Sequence, residues 1–438
     1  MSKVVRYIGC FFLTLTIFAG LLLAVCTIPQ SAIEPQMQES AKQLSETEVY
    51  HYYVDQGEYS VQDNYADSIL MGIIWDVDAA HPLNAMIRDS FYSNSAYANE
   101  DLLTAVEEQQ AGNLEYSRYW HGSMILLRPL LTIFNLAQIR IALAALLGVL
   151  IFAVAVLLIR RSCLDVLIIY MIGLISINIW FVPLCMEYIS NFLIMNVMIL
   201  FFLLAGERQE RFYYLSIIAG VATAFCDFLT TETITLMVPL VIVTLVRGKK
   251  GLLGDWKREL VSMLKLGICY VISYGMIFLV KWLLAMLVSG KEAFLDAFGQ
   301  AVYRMSGELP AWMESESFAV RLFGAPIRNL SQIFHMSGQS SYLAVLVILL
   351  LVLGVFGSTF YLLRRKNLQK NLSVILLGIA LIPVLRFLVM SNHSYVHFFF
   401  TYRAYMISVM AICGMWWYNL DLSILAKHKK RKKKTRKS

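Results

Sequence analysis

Apolar runs close to bilayer length recur along this chain and constrain it more than any other feature. They fall at 7–28, 139–159, 164–182, 187–204, 213–227, 231–245, 264–288, 342–363, 372–390 and 398–418. A helix of roughly 20 apolar residues crosses a hydrocarbon core about 30 Å thick. Backbone groups in lipid have no water to bond, so spanning segments of this kind must be helical. The balance of 58% hydrophobic and 15% charged residues over 438 positions excludes an ordinary soluble domain. The expected fold is an all-α integral membrane one, with about ten transmembrane helices and a long extracytoplasmic first loop.

Basic residues orient these spans. They cluster at Lys3 and Arg6, at Arg160 and Arg161, at Arg208 and Arg211, from Arg247 to Arg258, at Arg364 to Lys366, and in the tail from Lys427 to Lys437. Counting spans puts every cluster on one side, which the positive-inside rule makes the cytoplasm, with both termini there. The chain then divides into a first span (1–28), an extracytoplasmic loop with membrane-surface helices (29–138), spans two to seven (139–290), a second outer loop (291–341), spans eight to ten (342–418) and a basic tail (419–438). The first span is an uncleaved anchor on this reading, because Val25 before Cys26 is too large for a lipoprotein cleavage site and the run is long for a signal peptide. Just inside the last span, the tail suits anionic lipid rather than nucleic acid.

Polar chemistry gathers on the opposite side. Neither long loop holds a cysteine, which argues against a disulfide framework or a Cys/His zinc site there. In the first loop the apolar pattern resumes over 65–75, predicting a helix on the membrane surface. Asp63 and Asp67 are four apart and share a face if that helix starts early. Each is a candidate catalytic carboxylate, and the plainer alternative makes Asp63 an N-cap and Asp67 a solvated residue. Asp76 and Asp78 form a D-x-D that can hold a divalent cation through oxygen ligands, although Pro82 close behind favours a solvated turn.

Further candidates sit at span boundaries. Arg118, Tyr119, Trp120, His121 and Arg128 precede the second span, where phosphate headgroups lie. Arginine forks suit a diphosphate, and Tyr and Trp suit a sugar face or the membrane interface. Asp227 and Glu232 frame a turn with two threonines, while His393, His397, Tyr402 and Arg403 occupy the last outer turn. His393 and His397 share a helical face but lack a third ligand, so phosphate contact or proton handling fits them better than zinc. Lys281, Arg386 and Arg403 lie in or near spans, where a charge is costly unless it is paired, faces a polar cavity or snorkels.

The segments Asp63-Asn64-Tyr65-Ala66-Asp67, Arg118-Tyr119-Trp120-His121-Gly122 with Arg128-Pro129, Asp227-Phe228-Leu229-Thr230, and Asn392-His393-Ser394-Tyr395 with Phe400-Thr401-Tyr402-Arg403 resemble those of a group of polytopic membrane proteins from Gram-positive bacteria. The layout of that group resembles the GT-C glycosyltransferase superfamily. The resemblance implies transfer of a sugar from a polyprenyl-phosphate donor to an envelope glycan outside the membrane. In that scheme Asp67 or Asp63 is the general base, and Arg118, Arg128 or Arg403 binds the lipid phosphate. The first loop holds its acids farther from the first span than is usual in the superfamily. Two other activities stay open. A polysaccharide polymerase or ligase would use the second-loop residues Arg304, Arg321, Arg328 and His335, and a lipid-linked glycan flippase would show internal repeats and mid-membrane polarity. A non-catalytic scaffold or sensor would use the loops to bind protein.

Overall fold

In the computed structural model, residues 3–55, 57–206, 208–306, 318–336, 341–421 and 423–424 are described. The basic tail from Lys427 and the side chain of Arg321 lie outside that description. The chain opens with the apolar helix α1 (Lys3–Cys26). A small subdomain follows: α2 (Gln30–Ser45), β1 (Tyr50–Tyr52), β2 (Val61–Asp63), α3 (Asn64–Trp75), α4 (Pro82–Arg88), β3 (Ser90–Phe91), α5 (Ala98–Glu107), β4 (Leu114–Glu115) and α6 (Met124–Leu130). Its strands make two antiparallel pairs, β1 with β2 and β3 with β4, small exceptions to an otherwise helical fold. Pairing Tyr50 with Asp63 brings the two ends of the 50–63 hairpin together and delivers Asp63 to the start of α3.

The helical body comprises α7 (Leu136–Arg160), α8 (Leu164–Ser176), α9 (Met186–Ala205), α10 (Gln209–Cys226), α11 (Ile234–Lys249) and α12 (Trp256–Ser289), then α13 (Lys291–Ser306), α14 (Phe318–Ile333) and α15 (Ser341–Leu363). It closes with α16 (Lys370–Ala380), α17 (Ile382–Val389), α18 (Ser391–Val396), α19 (Phe398–Thr401) and α20 (Met406–Asn419). Local chemistry sets several starts. Asn135 and Gln138 form a reciprocal capping box on α7, and Asp255 caps α12 by accepting from Lys257 N. At Gly220 a Cβ would stand 2.6 Å from the Tyr270 carbonyl oxygen, so this glycine lets the backbones of α10 and α12 approach.

Among the described residues seven helices are long and apolar enough to cross a membrane: α1, α7, α9, α12, residues 345–363 of α15, α16 with α17, and α19 with α20. This is a multi-pass membrane fold, with seven such helices rather than the ten expected. The three expected spans that differ, 164–182, 213–227 and 231–245, form α8, α10 and α11, which have 13, 18 and 16 residues. The physical reason is position. α11 is almost wholly buried against α9 and α20, and α10 carries Glu210 and Arg211 in its first turn, so neither needs a long lipid-facing surface. α9 is largely buried and residues 345–363 of α15 are hardly buried at all, which places α9 centrally and α15 outside.

One end of the bundle is tied by charge. Arg6 pairs with Glu210, Arg247 with Glu259 and Lys249 with Asp165, and Asp165 also accepts from the Tyr418 hydroxyl. Arg161 donates to Leu203 O and Arg365 N to Asn419 O. The basic residues Arg6, Arg161, Arg247, Lys249 and Arg365 thus share one end of the molecule. The subdomain and the turns after α8, α10 and α17 meet at the other.

Candidate functional site

At that second end lies a cavity of about 520 Å³, within the range of small-molecule sites. β2 and α3 supply Asp63, Tyr65 and Ile69 to its wall, and the segment before α6 supplies Tyr116, Tyr119 and His121. Glu187 enters from the first turn of α9, Arg304 from α13 and Arg328 from α14. His393, His397 and Phe398 to Phe400 close it from the turns before α20. The lining is dominated by aromatic rings, with a few ionisable groups set among them.

Asp63 is both an N-cap and a cavity residue. Its Oδ1 accepts from Ala66 N at 2.9 Å, which fixes the start of α3. Burial is the main force on its carboxyl, which is pushed up to about 7 despite that bond, with the neighbouring Asp67 adding to the rise. Asp67 sits one turn on and is fully buried rather than solvated. Its Oδ2 accepts from Arg140 at 2.7 Å and its Oδ1 from Met186 N at 2.8 Å. It therefore joins α3 to α7 and to the N-terminus of α9, where a carboxylate also meets the positive end of the helix. Asp67 does not line the cavity.

Opposite these acids stand two arginines. The Arg304 guanidinium lies 5.6 Å over the Tyr119 ring and donates to the Tyr119 hydroxyl. Arg328 stacks 3.8 Å over Phe398 and donates to Tyr395 O at 3.1 Å. Neither forms an ion pair with a carboxylate among the described residues, in contrast to Arg140 and Arg386. Burial drives the His393 imidazole well below its usual range and the His397 imidazole down to about 3, so both are neutral near pH 7. They are hydrogen-bonding groups there, not cations. Four buried polar atoms on three lining residues lack a hydrogen-bond partner among the described residues: Glu187 Oε2, His393 Nδ1 and both nitrogens of His121. An apolar enclosure leaves such groups costly unless something polar meets them.

Of the candidates read from the sequence, Asp63, Tyr119, His121, Arg304, Arg328, His393 and His397 converge on this cavity. The others lie elsewhere, each with a visible partner or packing role. Arg118 pairs with Asp296, and the Trp120 indole stacks on Phe225 and donates to Ile277 O. Arg128 is fully buried and clamps the carbonyls of Ile74 and Ile28 at the ends of α3 and α1. Asp227 accepts from Asn191, Thr230 and Tyr274, while Glu232 takes a forked contact from Arg386. Tyr402 donates to Ile177 O, and the buried Arg403 guanidinium lies 4.9 Å and 5.1 Å from the rings of Tyr188 and Tyr402. Asp76 accepts from Gly112 N and Asp78 from Ala80 N and His81, and among the described residues the two are not joined by a third metal-ligating side chain.

Lys281 and Arg386 do not snorkel: the first pairs with Asp89 and the second with Glu232. Glu187, Asp89 and Arg140 carry no pattern that marks them in sequence. For Glu187 and Arg140 the available signal is a charge at the edge of an apolar run, a position where a charge needs a reason, while Asp89 in the first loop offers none.

The fold and this aromatic, charge-bearing cavity define a multi-pass membrane protein with a built polar site at one end of its helical bundle. Comparison with known protein families, curated proteins and solved structures finds no match for this chain.

Proposed function

We propose that the chain is an integral membrane glycosyltransferase. It would move a sugar from a polyprenyl-phosphate donor to an envelope glycan at the outer face of a bacterial cytoplasmic membrane. One observation carries the reading: the Asp63 carboxylate shares an aromatic cavity with two arginines, Arg304 and Arg328, that have no carboxylate partner among the described residues. Transfer needs that separation of roles. The acceptor oxygen bonds to the anomeric carbon as the bond from that carbon to the phosphate oxygen breaks. The hydroxyl proton passes to Asp63, and the electron pair leaves with the polyprenyl phosphate, whose charge the guanidinium groups stabilise. Tyr and Phe rings suit the apolar face of a sugar. Asp67, bonded to Arg140 and to α9, serves to hold Asp63 and Glu187 in place rather than to take the proton. The basic end of the bundle faces the cytoplasm in this scheme, with both termini there.

A polymerase or ligase acting on longer lipid-linked glycans is the second reading, favoured by Arg304 and Arg328, which come from the second loop and reach the same cavity. The test compares envelope glycans and polyprenyl-linked sugars by mass spectrometry in source cells with the chain intact, deleted, or carrying Asp63→Asn. Loss of one sugar, with its lipid-linked monosaccharide accumulating in both altered strains, is the expected result. Accumulation of a lipid-linked oligosaccharide instead selects the polymerase or ligase. With redundant paralogues removed, unchanged glycans in the deletion strain would overturn both.

A further inference from the structure

We propose that His121 contacts a carbohydrate hydroxyl in the cavity, and that Asp89 and Lys281 are its positioning residues. This rests on the reading of the cavity as a sugar site. Lys281 lies within the apolar helix α12 and is completely buried. Its Nζ donates to Asp89 Oδ2 at 2.6 Å and to Met86 O at 2.8 Å, and it lies 5.4 Å from the centre of the Trp120 ring. A staple between α12 and the end of α4 would be complete with those contacts. Yet the same Asp89 oxygen also stands 3.2 Å from His121 Nδ1, close enough to orient the ring though not aligned as a hydrogen bond.

The backbone around the pair is committed to this placement. Asp89 and His121 both take left-handed conformations, with φ of 49° and 50°, which non-glycine residues adopt at a cost. Gly122 N donates to Phe225 O at 2.7 Å, and a Cβ at Gly122 would stand 2.5 Å from that oxygen. The chain is thus pressed against the end of α10 as the imidazole turns to the cavity. Around the ring stand Tyr116 at 5.3 Å, Phe228 at 5.2 Å and Tyr119 at 6.2 Å. His121 is 1% exposed, and neither ring nitrogen has a hydrogen-bond partner among the described residues.

The chemistry of this corner selects a neutral ligand. Lys281 and Asp89 pair with each other, so neither presents an uncompensated charge to a ligand at the imidazole. Arg304 and Arg328 hold the positive charge of the cavity. An imidazole nitrogen within an aromatic collar suits a hydroxyl on a ring whose C–H faces pack against Tyr and Phe.

Binding to the full chain in lipid nanodiscs tests this, with a panel of methyl hexopyranosides as one probe and farnesyl diphosphate as the other. His121→Ala is expected to weaken the best-bound glycoside about tenfold, the scale of one lost hydrogen bond, and to leave farnesyl diphosphate within about twofold. His121→Gln, which keeps a donor and an acceptor, should recover part of the loss. Asp89→Asn with Lys281→Met removes both charges together and should weaken the glycoside while sparing the diphosphate. Unchanged glycoside binding in His121→Ala and His121→Gln overturns the proposal, as does an equal loss of both probes in the two variants. If the unaltered chain binds farnesyl diphosphate but no glycoside, the sugar-site reading fails and this proposal fails with it.

Discussion

Burial holds the Asp63 carboxyl up at about 7, so this group changes charge close to neutral pH. A general base works only when deprotonated, and transfer is therefore expected to rise with pH up to about 7 and level off above it. Asp63→Asn should lower turnover at pH 8 by about a hundredfold or more and abolish that rise. Stability runs the other way. Below the ordinary carboxylate range both folded and unfolded chains hold the proton; as pH climbs to about 7 the folded chain keeps it longer, and stability falls. The Asn variant should then melt above the unaltered chain at pH 8, with the gap closing toward pH 4. A pH–rate profile and melting curves on one preparation check both signs, and a flat rate profile through neutrality would remove Asp63 from the role of base. Half of this was legible in sequence. An acid ahead of an apolar helix suggests an N-cap, which Asp63 is, but its burial depends on packing from distant parts of the chain. Asp67 shows the limit from the other side: its partner Arg140 lies 73 positions away on α7, and no local pattern names it.

Packing between elements separates two carboxylates that look alike in the chain. Asp67 closes a three-way junction of α3, α7 and α9, and loss of its charge leaves Arg140, only 15% exposed, without its carboxylate. Breaking a buried pair from one side costs on the order of 3 kcal/mol. Asp67→Asn is therefore expected to lower the melting temperature of the purified chain while the folded fraction keeps most of its turnover, the reverse of Asp63→Asn. Turnover normalised to folded protein discriminates the two: if Asp67→Asn is as stable as the unaltered chain and inactive, the junction role is wrong. The elements themselves were largely readable. Runs of apolar residues locate the seven long apolar helices among the described residues, but they do not by themselves set α8, α10 and α11 apart, which differ in length and hydropathy. A helix enclosed by other helices satisfies its apolar faces on protein, so α11 tolerates Pro239 and 16 residues where α15, facing outward, is a near-continuous apolar run. The strands were not readable, since ladders of two or three residues carry too little propensity to stand out, and β3 and β4 pair across the intervening α5.

At the scale of the molecule, charge is sorted by end, and this gives the transferase reading a physical requirement. The basic residues meet at one end through Arg6, Arg161, Arg247, Lys249 and Arg365, while the cavity with Asp63, Arg304 and Arg328 lies at the other. In the proposed scheme the positive-inside rule puts the first end in the cytoplasm. A polyprenyl-linked donor used for envelope synthesis must then be met at the outer face, where the cavity would stand. Single cysteines at two exposed positions test the assignment: Ser95 in the subdomain beside the cavity, and Lys250 just past α11 at the basic end. In a background with the native cysteines replaced, a membrane-impermeant maleimide added to intact cells should label Ser95→Cys and spare Lys250→Cys. After permeabilisation both should label. If the pattern is reversed, the cavity faces the cytoplasm and its substrates must be those of that compartment. The charge sorting would then follow something other than insertion, and the outward-facing transferase would be excluded whatever Asp63 does to a proton.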